Sequence, residues 1–222
     1  ELKHFHFGGW IGKNMPAMRH LFVLLTCLLI AGCSSFTTNQ DPANKQILDI
    51  AYSYPNGGKY NWKGSGTPHP IIFKNETILG AGEGGTYCSG FTFTVVMRAA
   101  TDRKLLTDKT PADIRKFQKE WYGATGDTEV QAGPAMENLG IGRRIPLEQA
   151  RPGDFVQFWR GKSGHSAIFL NWVVEDGKKI GFKYRSTQKS TDGIGDKIEY
   201  FNDAPGKDGQ VIRSRTYFAR LN

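Results

Sequence analysis

Cysteine is scarce in this chain. Its 222 residues hold three, Cys27, Cys33 and Cys88, too few for a disulfide framework. Metal-ligand spacing is absent as well: there is no Cys-x-x-Cys and no His-Glu-x-x-His, so no metal site is expected. The stretch Gly80-Ala81-Gly82-Glu83-Gly84-Gly85 lacks the Lys-Ser/Thr ending of a phosphate-binding loop, and nothing else implies a cofactor. No Lys/Arg run is dense enough for a nucleic-acid tail, which sets nucleic acid aside as a partner despite a formal net charge of +8. The apolar run 21–30 is too short to cross a bilayer. There is no internal repeat and no low-complexity block.

What is present begins with that run. Met18-Arg19-His20 is a short positive segment, the apolar core follows, and Ile30-Ala31-Gly32-Cys33 closes it. The pattern resembles a bacterial lipoprotein signal, in which Cys33 becomes the lipidated first residue. Residues 18–32 are then a signal peptide and 33–42 a polar tether; residues 43–222 form the domain. Residues 1–17 are a leader upstream of Met18, the preferred start. Such a protein sits in the cell envelope, held to the membrane by its lipid. Ser34, directly after Cys33, points to the periplasmic face of the outer membrane. Without residues 1–32 the chain keeps 26 basic and 20 acidic residues, +6, a balance that favours anionic partners such as a carboxylate-rich polymer. Cys27 leaves with the signal and Cys33 carries lipid, so Cys88 is the one thiol of the mature chain.

With 39% hydrophobic and 23% charged residues, the remainder can bury a real core. In 43–54, Ile47, Ile50, Ala51 and Tyr54 share one helical face and Pro55 ends it. Residues 56–70 read as loop. Phe91, Val95 and Ala99 recur every four residues after Cys88 and predict a helix there. Its Thr and Val residues are poor helix formers in solvent, so packing must hold it. Thr110-Pro111-Ala112-Asp113 is a capped helix start, with Ile114, Phe117 and Trp121 on its inner face. A short helix is expected at 134–139. Five segments rich in β-formers follow: 154–159, 165–174, 179–186, 197–201 and 215–221. Helices first and strands later give an α+β domain with an antiparallel sheet.

Cys88 occupies the start of the predicted central helix. The positive end of the helix dipole and free N–H groups there favour a thiolate, which is the nucleophilic form. A base follows 77 residues on, in Gly164-His165-Ser166. The other histidines fit less well: His4, His6 and His20 lie in the leader, and His69 stands between two prolines. By itself His165 also fits a histidine satisfied within a sheet, and Cys88 an inert buried thiol. Asp154, in Arg151-Pro152-Gly153-Asp154, reads as turn chemistry rather than catalysis. Glu83 reads as a solvated loop acid.

Four pieces stand in order: Gly58-Lys59-Tyr60-Asn61-Trp62, Cys88-Ser89-Gly90-Phe91, Arg151-Pro152-Gly153-Asp154-Phe155, and Gly164-His165-Ser166-Ala167-Ile168-Phe169-Leu170. Together they resemble the NlpC/P60 family of papain-like cysteine peptidases over residues 45–190. The resemblance implies a central nucleophile helix packed on an antiparallel sheet that bears the histidine. It implies cleavage of amide bonds in peptidoglycan stem peptides, of the D-glutamyl–diamino acid endopeptidase type. An N-acetylmuramoyl-L-alanine amidase, an acyltransferase on the same fold and a non-catalytic envelope lipoprotein remain open beside it. Cys88 would attack and His165 would move the proton, as an ion pair that holds the thiol pKa at roughly 3.5–7.5. Tyr60 matches the family's active-site tyrosine and would help bind the oxyanion. The third member, a His, Asn or Gln on the next strand, has no His or Asn to fill it here. Gln188 is the first candidate, since its carbonyl can accept from a ring N–H; Ser186 is the second.

Overall fold

Four α-helices and nine β-strands follow one another in the structure, a computed structural model that describes residues 41–125 and 128–222. The signal peptide, Cys33 and nearly all of the tether lie outside the described residues. Four helices precede most of the sheet: α1 (Pro42–Tyr52), α2 (Cys88–Asp102), α3 (Pro111–Trp121) and α4 (Ala132–Leu139). Seven strands form one antiparallel sheet in the order β1-β8-β7-β6-β5-β9-β4. They are β1 (Gly57–Gly58), β4 (Gly142–Ile145), β5 (Phe155–Arg160), β6 (Ser163–Glu175), β7 (Lys178–Gln188), β8 (Gly193–Tyr200) and β9 (Thr216–Leu221). A hairpin, β2 (Ile71–Phe73) and β3 (Glu76–Leu79), stands apart. The class is α+β, as the order of patterns requires.

The helices form for the expected reasons. Asp41 caps α1 by accepting from Ala43 N at 3.0 Å, and Pro42 opens its first turn. Thr110 and Asp113 make a reciprocal capping box on α3. Helix α2 is buried at almost every position from Gly90 to Ala100, which is why its β-branched residues are tolerated. Their hydroxyls are satisfied within the helix: Thr92 Oγ1 donates to Cys88 O at 3.0 Å and Thr94 Oγ1 to Gly90 O at 2.8 Å.

Strand alternation sorts the core into two layers. Phe155, Ile168, Ile194, Ala219 and Leu221 face the helices and pack with Phe91, Val95, Phe117 and Trp121. Their neighbours Val156, Phe158, Ala167, Phe169 and Phe218 point to the other face, which Phe201, Ala204 and Val211 cover. At the strand entry Gly153 adopts φ +91°, and a Cβ there would lie 2.3 Å from Asn44 O. Asp154 is fully buried and accepts from Asn44 Nδ2 at 2.9 Å, Arg151 N at 2.7 Å and Arg220 at 2.7 Å through both oxygens. Pro-Gly-Asp is thus a structural joint between α1, β5 and β9, in line with the turn reading.

Several boundaries differ from expectation. Strand β8 begins at Gly193 rather than 197 because pairing with β7 and β1, not propensity, extends it through two glycines. The hairpin β2–β3 and strand β4 carry no signal in the sequence, and Gly57–Gly58, inside the expected loop 56–70, pair as β1 with Gly193 and Ile194. The hairpin turn is Lys74-Asn75, both at positive φ, the backbone of a type I′ turn without its usual glycine.

Candidate active site

Cys88 is the first residue of α2, partly exposed, and follows Tyr87 in an extended conformation. The loop before it is held to the 59–61 segment by a short parallel bridge. Thr86 N donates to Lys59 O at 3.0 Å and Asn61 N to Thr86 O at 3.0 Å. Glycines make this approach possible. A Cβ on Gly90 would sit 2.2 Å from the carbonyl carbon of Gly66, so the first turn of α2 lies directly on residues 65–66. Gly85, at φ +146°, would place a Cβ 2.7 Å from Lys59 O. The helix start thereby stays open at the thiol while its flanks are fixed.

Strands β6 and β7 pair from Ile168↔Arg185 to their hairpin end. Toward His165 and Gln188 that pairing stops and the strands part. Ser186 Oγ bridges the gap to Ser166 O at 2.6 Å. Thr187 Oγ1 meets Thr86 Oγ1 at 2.9 Å. The residue two before the thiol is therefore docked where the two strands separate. His165 stands on one of them and Gln188 ends the other, but the His165 ring packs with Phe158 and Tyr184 on the sheet face turned away from α2.

His165 is 7% exposed. Its ring meets Phe158 and Tyr184 edge-on, with centroids 5.3 and 5.5 Å away. Burial pushes its pKa down from 6.5 to about 3, and Arg160 adds to this. Glu199 acts the other way but is itself tied to Arg160 and accepts from Tyr184 Oη at 2.7 Å. The imidazole is neutral at neutral pH. His165 Nε2 and Gln188 Oε1 are both buried and both without a hydrogen-bond partner. The amide still lies near enough to favour the protonated ring. Its orientation is set by Nε2, which donates to Thr191 Oγ1 at 2.7 Å; the oxygen is left for the histidine.

Two expectations need correction. The side chains do not form a resting ion pair: Cys88 Sγ contacts Ser89 Oγ at 3.9 Å, no hydrogen bond joins it to His165, the imidazole packs among Phe158 and Tyr184 on the sheet face away from α2, and burial disfavours the imidazolium. Ser186 is not free to orient the ring, because its hydroxyl is spent on Ser166 O. Tyr60 is coupled to the thiol electrostatically: burial raises its pKa and negative charge at Cys88 adds to this. Tyr87 and Tyr122 are raised chiefly by burial and feel the same charge, Tyr87 rising to about 12, and neither belongs to the four sequence pieces as site residues. Tyr87 adjoins the thiol, a signal that was available. Tyr122 comes into place only through α3, where it donates to Ser65 O at 2.7 Å. Glu83 is an exposed loop residue whose carbonyl holds Asn61 Nδ2 at 2.8 Å. Among the described residues no three His, Cys, Asp or Glu side chains gather as a metal site would need.

No protein-family model matches the chain, and no curated protein does either. Among solved structures, a hypothetical invasion protein of Mycobacterium tuberculosis is similar at 19% identity, with a TM-score of 0.38. The match covers 81% of this chain and 62% of that one, and at this similarity it says nothing about activity.

Proposed function

We propose that this protein is a lipid-anchored cysteine hydrolase of the bacterial envelope, cutting amide bonds in peptidoglycan stem peptides, and that the bond is the D-glutamyl–diamino acid link. One observation carries the reading. The helix start bearing Cys88 is docked, through Thr86 and Thr187, at the parting of the two strands that bear His165 and Gln188.

The chemistry follows from the groups present. Sγ attacks the amide carbonyl carbon while its proton passes to the imidazole. The C–N bond then breaks, the leaving amine takes the proton back, and water hydrolyses the thioester. An imidazole whose cation is this disfavoured is a weak base, so the reading requires substrate or the Gln188 amide to raise the His165 pKa before the proton moves. The free N–H of Cys88 in the first helical turn, aided by the Tyr60 hydroxyl, would receive the oxyanion; one such donor is worth about 3–4 kcal/mol. Anchoring through Cys33 would hold the enzyme beside the wall, and a basic chain suits that carboxylate-rich polymer.

Cys88→Ala should abolish release of stem-peptide fragments from purified peptidoglycan. Unchanged release would reject the thiol mechanism, and free lactyl-peptides in mass spectra would reassign the bond to a muramoyl-L-alanine amidase. The buried imidazole without a bond to Sγ favours a second reading, a non-catalytic envelope lipoprotein. That reading requires that the unaltered chain release nothing.

A further inference from the structure

The outer side of β8 is bonded only at its two ends. At one end β1 covers Gly193 and Ile194. At the other, Val211 N donates to Tyr200 O at 3.2 Å and Asn202 N to Val211 O at 2.8 Å. Backbone N–H and C=O groups of alternate residues face opposite sides of a strand, so Ile194, Asp196, Ile198 and Tyr200 turn theirs outward. Phe201 has the other parity and donates inward, to Ile180 O at 2.9 Å. No strand among the described residues meets the outward groups of Asp196 and Ile198. A bulge or a proline would blunt such an edge. Neither is here: the register with β7 runs unbroken from Gly181↔Tyr200 to Gln188↔Gly193, and residues 193–200 include no proline.

The gap also has open ends. Where the chain peels away ahead of β1, a cleft of about 650 Å³ lies beside Asp196, walled by Tyr52, Asn56 and Thr191. A second, of about 450 Å³, lies beside Ile198 and Glu199, walled by Arg160, Asp208 and Gln210. A short extended segment could pair along 195–199 and leave through both clefts. A second copy of β8 could not, because its continuing strand would run into β1 and the Val211 segment. Ile198, 47% exposed, offers an apolar contact. Each carboxylate on this edge is shared by two cations. Asp196 meets Arg185 and Lys183, both at 3.0 Å; Glu199 meets Arg160 and, at 3.0 Å, Lys197. The two arginines suffice to neutralise them, which leaves the partly exposed lysines for incoming acids. Lys197 shares the face of Tyr184 and Lys183 takes the opposite one, so the acids belong at adjacent positions of the incoming strand. We infer that the gap between β1 and Val211 is a docking edge for an extended, acidic peptide segment of a partner protein, held by backbone bonds to Asp196 and Ile198. It stands whether or not Cys88 is a nucleophile.

The probe is a blocked peptide, Thr-Val-Glu-Glu-Val-Thr, titrated against the full chain. Binding should slow hydrogen exchange at the Asp196 and Ile198 amides and leave that of Lys197, whose N–H faces β7, unchanged. N-methylation of alternate peptide amides, tried in both phases, should weaken binding about tenfold in one phase. Ile198→Pro removes an N–H that the ladder does not use and should abolish binding; the methylated peptides test the same bonds without altering the protein. Lys183→Gln with Lys197→Gln should flatten the salt dependence. Absent protection at Asp196 and Ile198, equal affinity for both methylated peptides, or tighter binding of a peptide with Lys-Lys in place of Glu-Glu would each overturn the inference. Protection of the same amides without peptide, growing with protein concentration, would give the edge to a second copy and overturn it as well.

Discussion

Gln188 and His165 confront each other with complementary needs: a buried ring nitrogen and a buried amide oxygen, each without a partner. A small rotation would join them, and the joined form fixes the tautomer and angle of the ring. Gln188→Leu should therefore lower kcat about a hundredfold, within the range for a positioned general base, with KM little changed. Steady-state kinetics on a defined muropeptide would show it, and an unaltered kcat would remove Gln188 from the mechanism. The neutral histidine also has a signature in stability. Its folded pKa, about 3, lies below the ordinary 6.5, so the unfolded chain binds the extra proton first. Stability from this source is complete above pH 6.5 and is lost as pH falls toward 3. Glu199, lowered from 4.5 to about 2, adds its own loss only below 4.5. Between pH 6.5 and 4.5 the slope should belong largely to His165, and His165→Phe should flatten it in urea midpoints taken at pH 7 and pH 5.

At the scale of elements, helix α2 is positioned less by its own propensity than by what touches its ends. Its first turn rests on residues 65–66, where a Cβ on Gly90 would meet Gly66 at 2.2 Å through backbone that cannot swing aside. Gly90→Ala should cost about 1–3 kcal/mol, as overpacking does, and should slow catalysis more than it lowers the melting temperature, because the displaced turn carries the thiol. Normal turnover in that variant would show that the contact does not set the nucleophile. The same contact explains the Cys-Ser-Gly order: the serine is spectator-like in its 3.9 Å contact to Sγ, whereas the glycine is a steric requirement.

For the whole molecule, the buried Asp154–Arg220 pair links the first helix, the central sheet and the last strand. Removing one partner leaves an uncompensated charge, and Arg220→Met should destabilise the fold by about 3–5 kcal/mol in urea unfolding. Asp154→Asn placed on top should restore much of the loss; if it restores none, the pair is not what joins these parts.

Read at these scales, local signals settled a good deal. A proline-opened, hydroxyl-capped start defines α3, four-residue recurrence defines α2, and both Cys88 and His165 lie on the elements their neighbours indicated. Those features depend on residues within a turn or two of each other. The hairpin 71–79 has no local signature because its turn uses Lys74-Asn75 in place of glycine, and β8 extends beyond its β-forming residues because its glycines become strand only through their partners. What distinguished Gln188 from Ser186, brought Tyr122 to the thiol and made His165 neutral was tertiary. The parting of two strands, the docking of Thr86 on Thr187 and the burial beneath Arg160 and Glu199 join residues dozens of positions apart. Burial and long-range register, which no local pattern encodes, decide which polar atoms are left to meet.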